Sequence, residues 1–240
     1  MKSIALFSGG LDSTVMVAQA MSERDDLECL VFDYGQRNLR EIHSLNVLLS
    51  HVLLGLHDRN YTGIRIPNIH VIRIQGFNEL ASSKCALLNY AAKIPDADVH
   101  DPIQLVTYVP NRNMIFLSFA IARLIATEAD NILYGAQSGG HEFYPDTREY
   151  FVIAMNQAMK ASLPDDFQRK RLRPRIVAPF LNIRKADVIR IGKMLGVPLQ
   201  MTYSCYNGHF TQCGVCKACV TRKQAFVDAC VQDPTVYSVA

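Results

Sequence analysis

The feature that most constrains this chain is Ser8-Gly9-Gly10-Leu11-Asp12-Ser13, set between an apolar strand-like run and an apolar helix-like run. Ile4-Ala5-Leu6-Phe7 precedes it, and Thr14 to Met21 follows as a buried helix. The glycines therefore sit on a strand-to-helix turn. Gly9 and Gly10 can take backbone angles that other residues avoid, and they let a ligand come close to the main chain. Such a turn aims backbone N–H groups and a helix N-terminus at one point, which makes an anion site suited to phosphate. Ser8 and Ser13 add hydroxyl donors. Asp12 repels phosphate unless Mg²⁺ lies between them. The simpler alternative is a capped Gly turn without a ligand, but six patterned residues after the first strand are more specific than a bare Gly-Gly. No Walker A lysine follows, and Gly-x-Gly-x-x-Gly is absent.

The six residues resemble the PP-loop of the ATP pyrophosphatases. That resemblance implies ATP bound through Ser8, Gly9, Gly10, Leu11, Asp12 and Ser13, AMP transfer to a substrate oxygen, and release of pyrophosphate.

Strands and helices alternate beyond the turn. Leu27 to Phe32 is predicted as a second strand, ending in Asp33-Tyr34-Gly35-Gln36-Arg37. Glu41 to Leu56 reads as a helix and Ile69 to Ile74 as a third strand. Asn78 to Pro110 has no clear period and is expected to be a partly helical excursion, suited to a lid. Val109-Pro110-Asn111-Arg112-Asn113 opens a helix over Met114 to Ala126. A fourth strand is expected over Asn131 to Gly135, a loop to Tyr144, and a helix over Asp146 to Ala161. Ile176 to Phe180 is expected as a fifth strand, and Arg184 to Leu195 as a helix closed by Gly196. The pattern predicts an α/β fold with a doubly wound, mostly parallel sheet, Rossmann-like, with ligands beyond the carboxyl ends of its strands. Two units are expected: residues 1–200 for nucleotide chemistry and a tail over 201–240.

The 240 residues carry a formal charge of +3, which neither demands nor excludes a nucleic-acid partner. No stretch reads as a signal peptide or a bilayer span, so a cytoplasmic protein is expected. In that compartment the seven cysteines are core residues, metal ligands or catalytic groups rather than disulfides. Cys205, Cys213, Cys216 and Cys219 fall within one short stretch and suit a tetrahedral Zn²⁺ site. An iron–sulfur cluster is the main rival, although the fourth cysteine lies upstream and no Cys-Pro follows. A thioredoxin-like pair would need only two of the four, and His209 could replace one thiolate.

Taken together, the chain resembles the 7-cyano-7-deazaguanine synthases, the QueC family. The resemblance rests on the Ser8–Ser13 turn, Asp33-Tyr34-Gly35-Gln36-Arg37, Val109-Pro110-x-Arg112-Asn113, Tyr144-Pro145-Asp146-x-Arg148, Lys185-Ala186-Asp187, Ser204-Cys205-Tyr206-Asn207-Gly208 and the Cys213 to Arg222 motif. It implies a ligase that uses ATP and ammonia to convert the carboxylate of 7-carboxy-7-deazaguanine to an amide and then a nitrile. It further implies catalytic roles for Asp12, Ser13, Arg112 and Lys185, with Arg112 also on the phosphates. The base is expected near Gly135, Tyr144, Asp146 and Arg148, and the zinc is expected to be structural. The family's acidic Glu-Thr-Asp is replaced by Ser138-Gly139-Gly140-His141-Glu142-Phe143, and its Tyr-Pro-Asp-Cys-Arg cysteine by Thr147. A protein amine is therefore an alternative acceptor to ammonia. A tRNA-thiolating enzyme using the basic residues 169–175 and a non-catalytic nucleotide-binding module are further alternatives. A homodimer is expected, and neither a membrane nor a nucleic acid is expected as a partner.

Overall fold

The computed structural model describes residues 1–37, 40–97, 102–137 and 144–238; the divergent segment 138–143 lies outside them. Five parallel strands form one sheet in the order β3-β2-β1-β4-β5. They are β1 (Lys2–Leu6), β2 (Asp26–Asp33), β3 (Asn68–Arg73), β4 (Asn131–Leu133) and β5 (Arg175–Val177). The helices are α1 (Leu11–Ser22), α2 (Arg40–Asp58), α3 (Phe77–Ala81), α4 (Arg112–Thr127), α5 (Glu149–Ser162), α6 (Asp165–Arg169), α7 (Lys185–Met194) and α8 (Lys217–Ala229).

The period of two along the inner strands sorts their side chains into two cores. Ile4, Leu6, Leu30 and Phe32 face the layer of α4 and α5, whereas Ala5, Cys29 and Val31 face α1, α2 and α7. Burial on both faces is what crossover helices impose on a parallel sheet. β1 pairs with β2 on one side and β4 on the other. The chain order reverses there, so the carboxyl end of β1 opens into the crevice where ligands of such sheets bind.

Two glycines set the spacing of the α1 layer. A Cβ on Gly55 would meet the Gly196 carbonyl oxygen at 2.0 Å, and one on Gly196 would meet the Gly55 oxygen at 2.5 Å. A glycine inside helix α2 costs about 1 kcal/mol against alanine. The backbone contact between α2 and the turn after α7 requires it. Gly196 also needs its positive φ of 74° to end α7.

β5 is shorter than its apolar run predicts. Asn156 on α5 donates to the Ile176 carbonyl at 3.0 Å and accepts from the Ile176 N–H at 2.8 Å. An amide side chain thus stands in for a sixth strand and closes the sheet edge. Phe180 leaves the strand and fills the core at 1% exposure. The helix expected from Asp146 begins three residues later, because Arg148 is extended at φ −90°, ψ 159°. The excursion after β3 packs as a wall. Cys85, Ala86, Leu87 and Leu88 are buried, and the Ala97 N–H donates to the Val215 carbonyl at 2.8 Å. Among the described residues no helix is long and apolar enough to cross a membrane.

Candidate functional site

The Gly-rich turn follows β1 directly. Gly9 takes φ +75°, the left-handed conformation its position requires, whereas Gly10 is extended at φ −70°, ψ 163°. Gly10 is glycine for a different reason: a Cβ would crowd Ser8 Oγ at 3.2 Å. The turn is knit internally. The Ser8 N–H donates to Ser13 Oγ at 3.2 Å, and Ser13 Oγ donates to the Gly10 carbonyl at 3.2 Å. The Tyr203 N–H holds the Gly9 carbonyl at 3.2 Å from behind. Gly10 is the N-cap of α1 and has no side chain to offer the first-turn N–H groups. They remain available to an anion.

Lys185 begins α7, which packs on α1, and its Nζ reaches Asp12 Oδ2 at 2.7 Å. Asp12 Oδ1 is buried and has no hydrogen-bond partner among the described residues. A carboxylate with one oxygen committed and one bare suits a divalent cation or a ligand donor, because a buried unpaired oxygen is costly. Arg112 enters from α4. Its Nε donates to Asn113 Oδ1 at 3.3 Å, and one Nη donates to the Tyr34 hydroxyl at 3.5 Å.

These groups meet in one cavity of about 430 Å³. Ser8, Gly10, Leu11, Asp12, Ser13, Arg112, Lys185, Gly135 and Tyr144 line it. Gly135 follows β4 and lies against the start of α1, where a Cβ would touch Ser13 N and Cα at 3.5 Å. Gly9, Asp146 and Arg148 are not among the lining residues. Asp146 is buried at 7% exposure and faces away from solvent. Burial pushes its carboxyl above the ordinary range, opposed by the Arg112 charge and by hydrogen bonds from Asn113. It therefore anchors the start of α4. Arg148 donates to the Tyr150 hydroxyl at 3.1 Å on an exposed surface.

Much of the cavity wall consists of residues to which sequence reasoning assigned no role. Tyr34, Phe116, Tyr134, Tyr203 and Tyr206 supply aromatic faces, and Arg37 and Lys217 add cations to Arg112 and Lys185. Tyr144 shares a 2.7 Å hydrogen bond with Thr107 and stacks on Tyr108, ring centres 5.8 Å apart. Burial raises the Tyr134 and Tyr206 hydroxyl pKa, so both are protonated at neutral pH. Two signals were available: Tyr34 directly follows β2 inside a motif already noted, and Tyr206 adjoins Cys205. Lys217 had none, since only the tail's fold brings it here.

The four cysteines Cys205, Cys213, Cys216 and Cys219 are buried, and their sulfurs all lie within 4.8 Å of one another. Backbone N–H groups of Cys213 and Asn207 donate to Cys205 Sγ at 3.3 and 3.4 Å, and that of Cys216 donates to Cys213 Sγ at 3.3 Å. Such donors favour thiolates. Hydrogen bonds from Cys216 and Cys219 hold the Cys205 thiol far below its ordinary pKa against the opposing effect of burial. A closed set of four buried sulfurs fits tetrahedral Zn²⁺. His209 is not part of the set. In the basic run, Lys170 is tied to Glu128 at 2.6 Å and to Asp166 at 2.9 Å.

A family model described as "Queuosine biosynthesis protein QueC" matches residues 2–230. The chain belongs to the QueC family. A 7-cyano-7-deazaguanine synthase from Trichormus variabilis is 34% identical over 99% of this chain and 98% of that protein. The synthase of the same name from Psychromonas ingrahamii is 33% identical over 98% of this chain and 97% of that protein. A solved 4-thiouridine synthetase–RNA complex with bound ATP gives a TM-score of 0.45 at 16% identity, covering 95% of this chain and 51% of that one.

Proposed function

We propose that this QueC-family chain adenylates the carboxylate of 7-carboxy-7-deazaguanine and captures the acyl adenylate with ammonia. The first ATP yields pyrophosphate and an acyl–AMP. Ammonia attacks the acyl carbon, AMP leaves, and the amide forms. A second ATP adenylates the amide oxygen, and loss of AMP with the two amide protons leaves the nitrile. The supporting observation is the half-committed Asp12 carboxylate, paired to Lys185 through one oxygen and bare at the other, on a Gly-rich turn in a family of named synthases.

In this reading the turn residues Ser8 to Ser13 cradle the ATP phosphates. Asp12 would hold Mg²⁺, which neutralises phosphate charge. Arg112 and Lys185 stabilise the charge that grows on the α-phosphate and the leaving pyrophosphate. The aromatic walls around Phe116, Tyr144 and Tyr206 suit a flat base, with Gly135 leaving room beside Ser13. Asp146 serves by holding Asn113 and Arg112. Cys205, Cys213, Cys216 and Cys219 would hold a structural Zn²⁺ that fixes residues 201–240 on the nucleotide unit, residues 1–200.

The test is incubation with ATP, 7-carboxy-7-deazaguanine and ammonia, followed by mass spectrometry. Nitrile with two AMP per product is the expected result. AMP formation without nitrile, with the deazaguanine acyl mass on a protein amine, would replace ammonia as the acceptor. No substrate-dependent AMP would overturn the proposal.

A further inference from the structure

One buried charge is not among the cavity-lining residues. Arg222 on α8 is wholly buried, at 0% exposure. Its guanidinium donates to the Leu199 carbonyl at 2.7 Å, to Thr202 Oγ1 at 2.8 Å and to Ser204 Oγ at 3.3 Å. All three acceptors belong to the segment that ends α7's return and enters the cysteine loop. Within that segment the Tyr203 N–H holds the Gly9 carbonyl, and Tyr203 and Ser204 line the cavity. A planar fork with several fixed donors can set the backbone path of such a segment in a way a flexible ammonium cannot.

The counter-charge comes from beyond residue 230, where the family match ends. Asp233 Oδ1 lies 3.8 Å from Arg222 Nε, and Thr235 Oγ1 accepts from the same nitrogen at 3.1 Å. Asp233 is in turn held by the Tyr237 hydroxyl at 2.5 Å, and the Ser238 N–H donates to the Gln212 carbonyl at 2.8 Å. The C-terminal strand of chain is thus strapped over the buried arginine. A buried guanidinium with one carboxylate partner is a high-stakes arrangement, because removing the partner leaves the charge uncompensated.

We propose that Arg222 and Asp233 are positioning residues for the phosphate turn, acting through the Tyr203–Gly9 hydrogen bond: the C-terminal strap sets the geometry in which the turn receives nucleotide. The inference rests on the proposed ATP chemistry for its kinetic consequence, but not for its structural one.

Asp233→Asn keeps the shape and removes the counter-charge. In the zinc-loaded protein, well below its unfolding temperature, kcat/KM for ATP is expected to fall about tenfold, and backbone amides of residues 8–13 are expected to exchange hydrogen several-fold faster. Tyr237→Phe removes the hydroxyl that holds Asp233 and keeps both charges, and is expected to shift both readouts in the same direction by a smaller factor, which keeps the test available if Asp233→Asn does not fold. Arg222→Lys, with its charge intact, is expected not to restore wild-type values. A lowered Tm with unchanged exchange at residues 8–13 and unchanged kcat/KM would make the strap merely structural and overturn the inference. Absence of ATP turnover in the unmutated protein would overturn the proposed function, while faster exchange in Asp233→Asn would still uphold the mechanical link.

Discussion

The two motifs that stand out in this chain bind in opposite ways. At the cysteine cluster every sulfur faces another sulfur, and three backbone N–H groups already point at them. At the Gly-rich turn the structure stops short of closure: the α1 N-terminus has no side-chain cap, and Asp12 keeps a bare oxygen. The first arrangement suits a permanent occupant and the second a ligand that must leave. The difference teaches that a bare carboxylate oxygen and an uncapped helix start leave room for a ligand at the turn, whereas the cysteine cluster is closed on itself.

Removing metal should therefore have the largest effect. Cys216→Ser, or chelation, is expected to cost several kcal/mol of stability, because binding energy at such sites is folding energy. Metal analysis with thermal unfolding checks this; iron with visible charge-transfer absorption, or no metal at all, would break the comparison. The open site should respond in activity instead. Asp12→Asn is expected to lower pyrophosphate release by about 100-fold or more, with stability changed by about 1 kcal/mol or less, as for lost electrostatic stabilisation at a reacting phosphate. Wild-type-like release would take the turn out of the mechanism. Lys185→Met should act more mildly, lowering kcat roughly tenfold, since in the proposed reaction Lys185 steadies charge that grows in the transition state while Arg112 and the turn N–H groups remain. Initial rates across ATP concentrations distinguish this from a KM effect.

The smallest effect sharpens the role of Asp146. Its folded pKa lies above the unfolded one because of burial. Its contribution to stability is therefore fully present below the ordinary carboxylate pKa and is lost as pH rises through the raised value. Asp146→Asn removes this titration. The stability of wild type relative to the variant should decline across that window, as read from denaturation midpoints at a series of pH values. A constant difference would deny the shift.

How much of this was legible follows from sequence distance. The turn and the cysteines are local motifs, and their chemistry is written within about fifteen residues. The parallel sheet was legible because strand and helix periods alternate. Where tertiary contact overrides local pattern, the reading failed. Phe180 continues an apolar run but leaves the strand for the core, because Pro179 before it has no N–H to extend a ladder. Asp146 sits in a motif beside Tyr144, yet its partners are on α4 and its carboxyl does not face the cavity. Lys185 does reach the turn, although the sequence separates it from Asp12 by 173 residues, and Arg112 lines the same cavity. The described part of the excursion after β3 lacks a period because it packs in short turns against other segments, as at Ala86 and Ala97.

Cys216 is at once a member of the metal set and the N-cap of α8, and Lys217, Ala218 and Thr221 of the same helix line the cavity. The two sites thus share a stretch of backbone. Thermodynamic linkage then makes their occupancies reciprocal. If zinc tightens a ligand that touches the first turn of α8 by some factor, that ligand raises the affinity for zinc by the same factor. A saturated enzyme would hold its metal better than an idle one, so the protein's lifetime under metal scarcity would depend on its substrate supply.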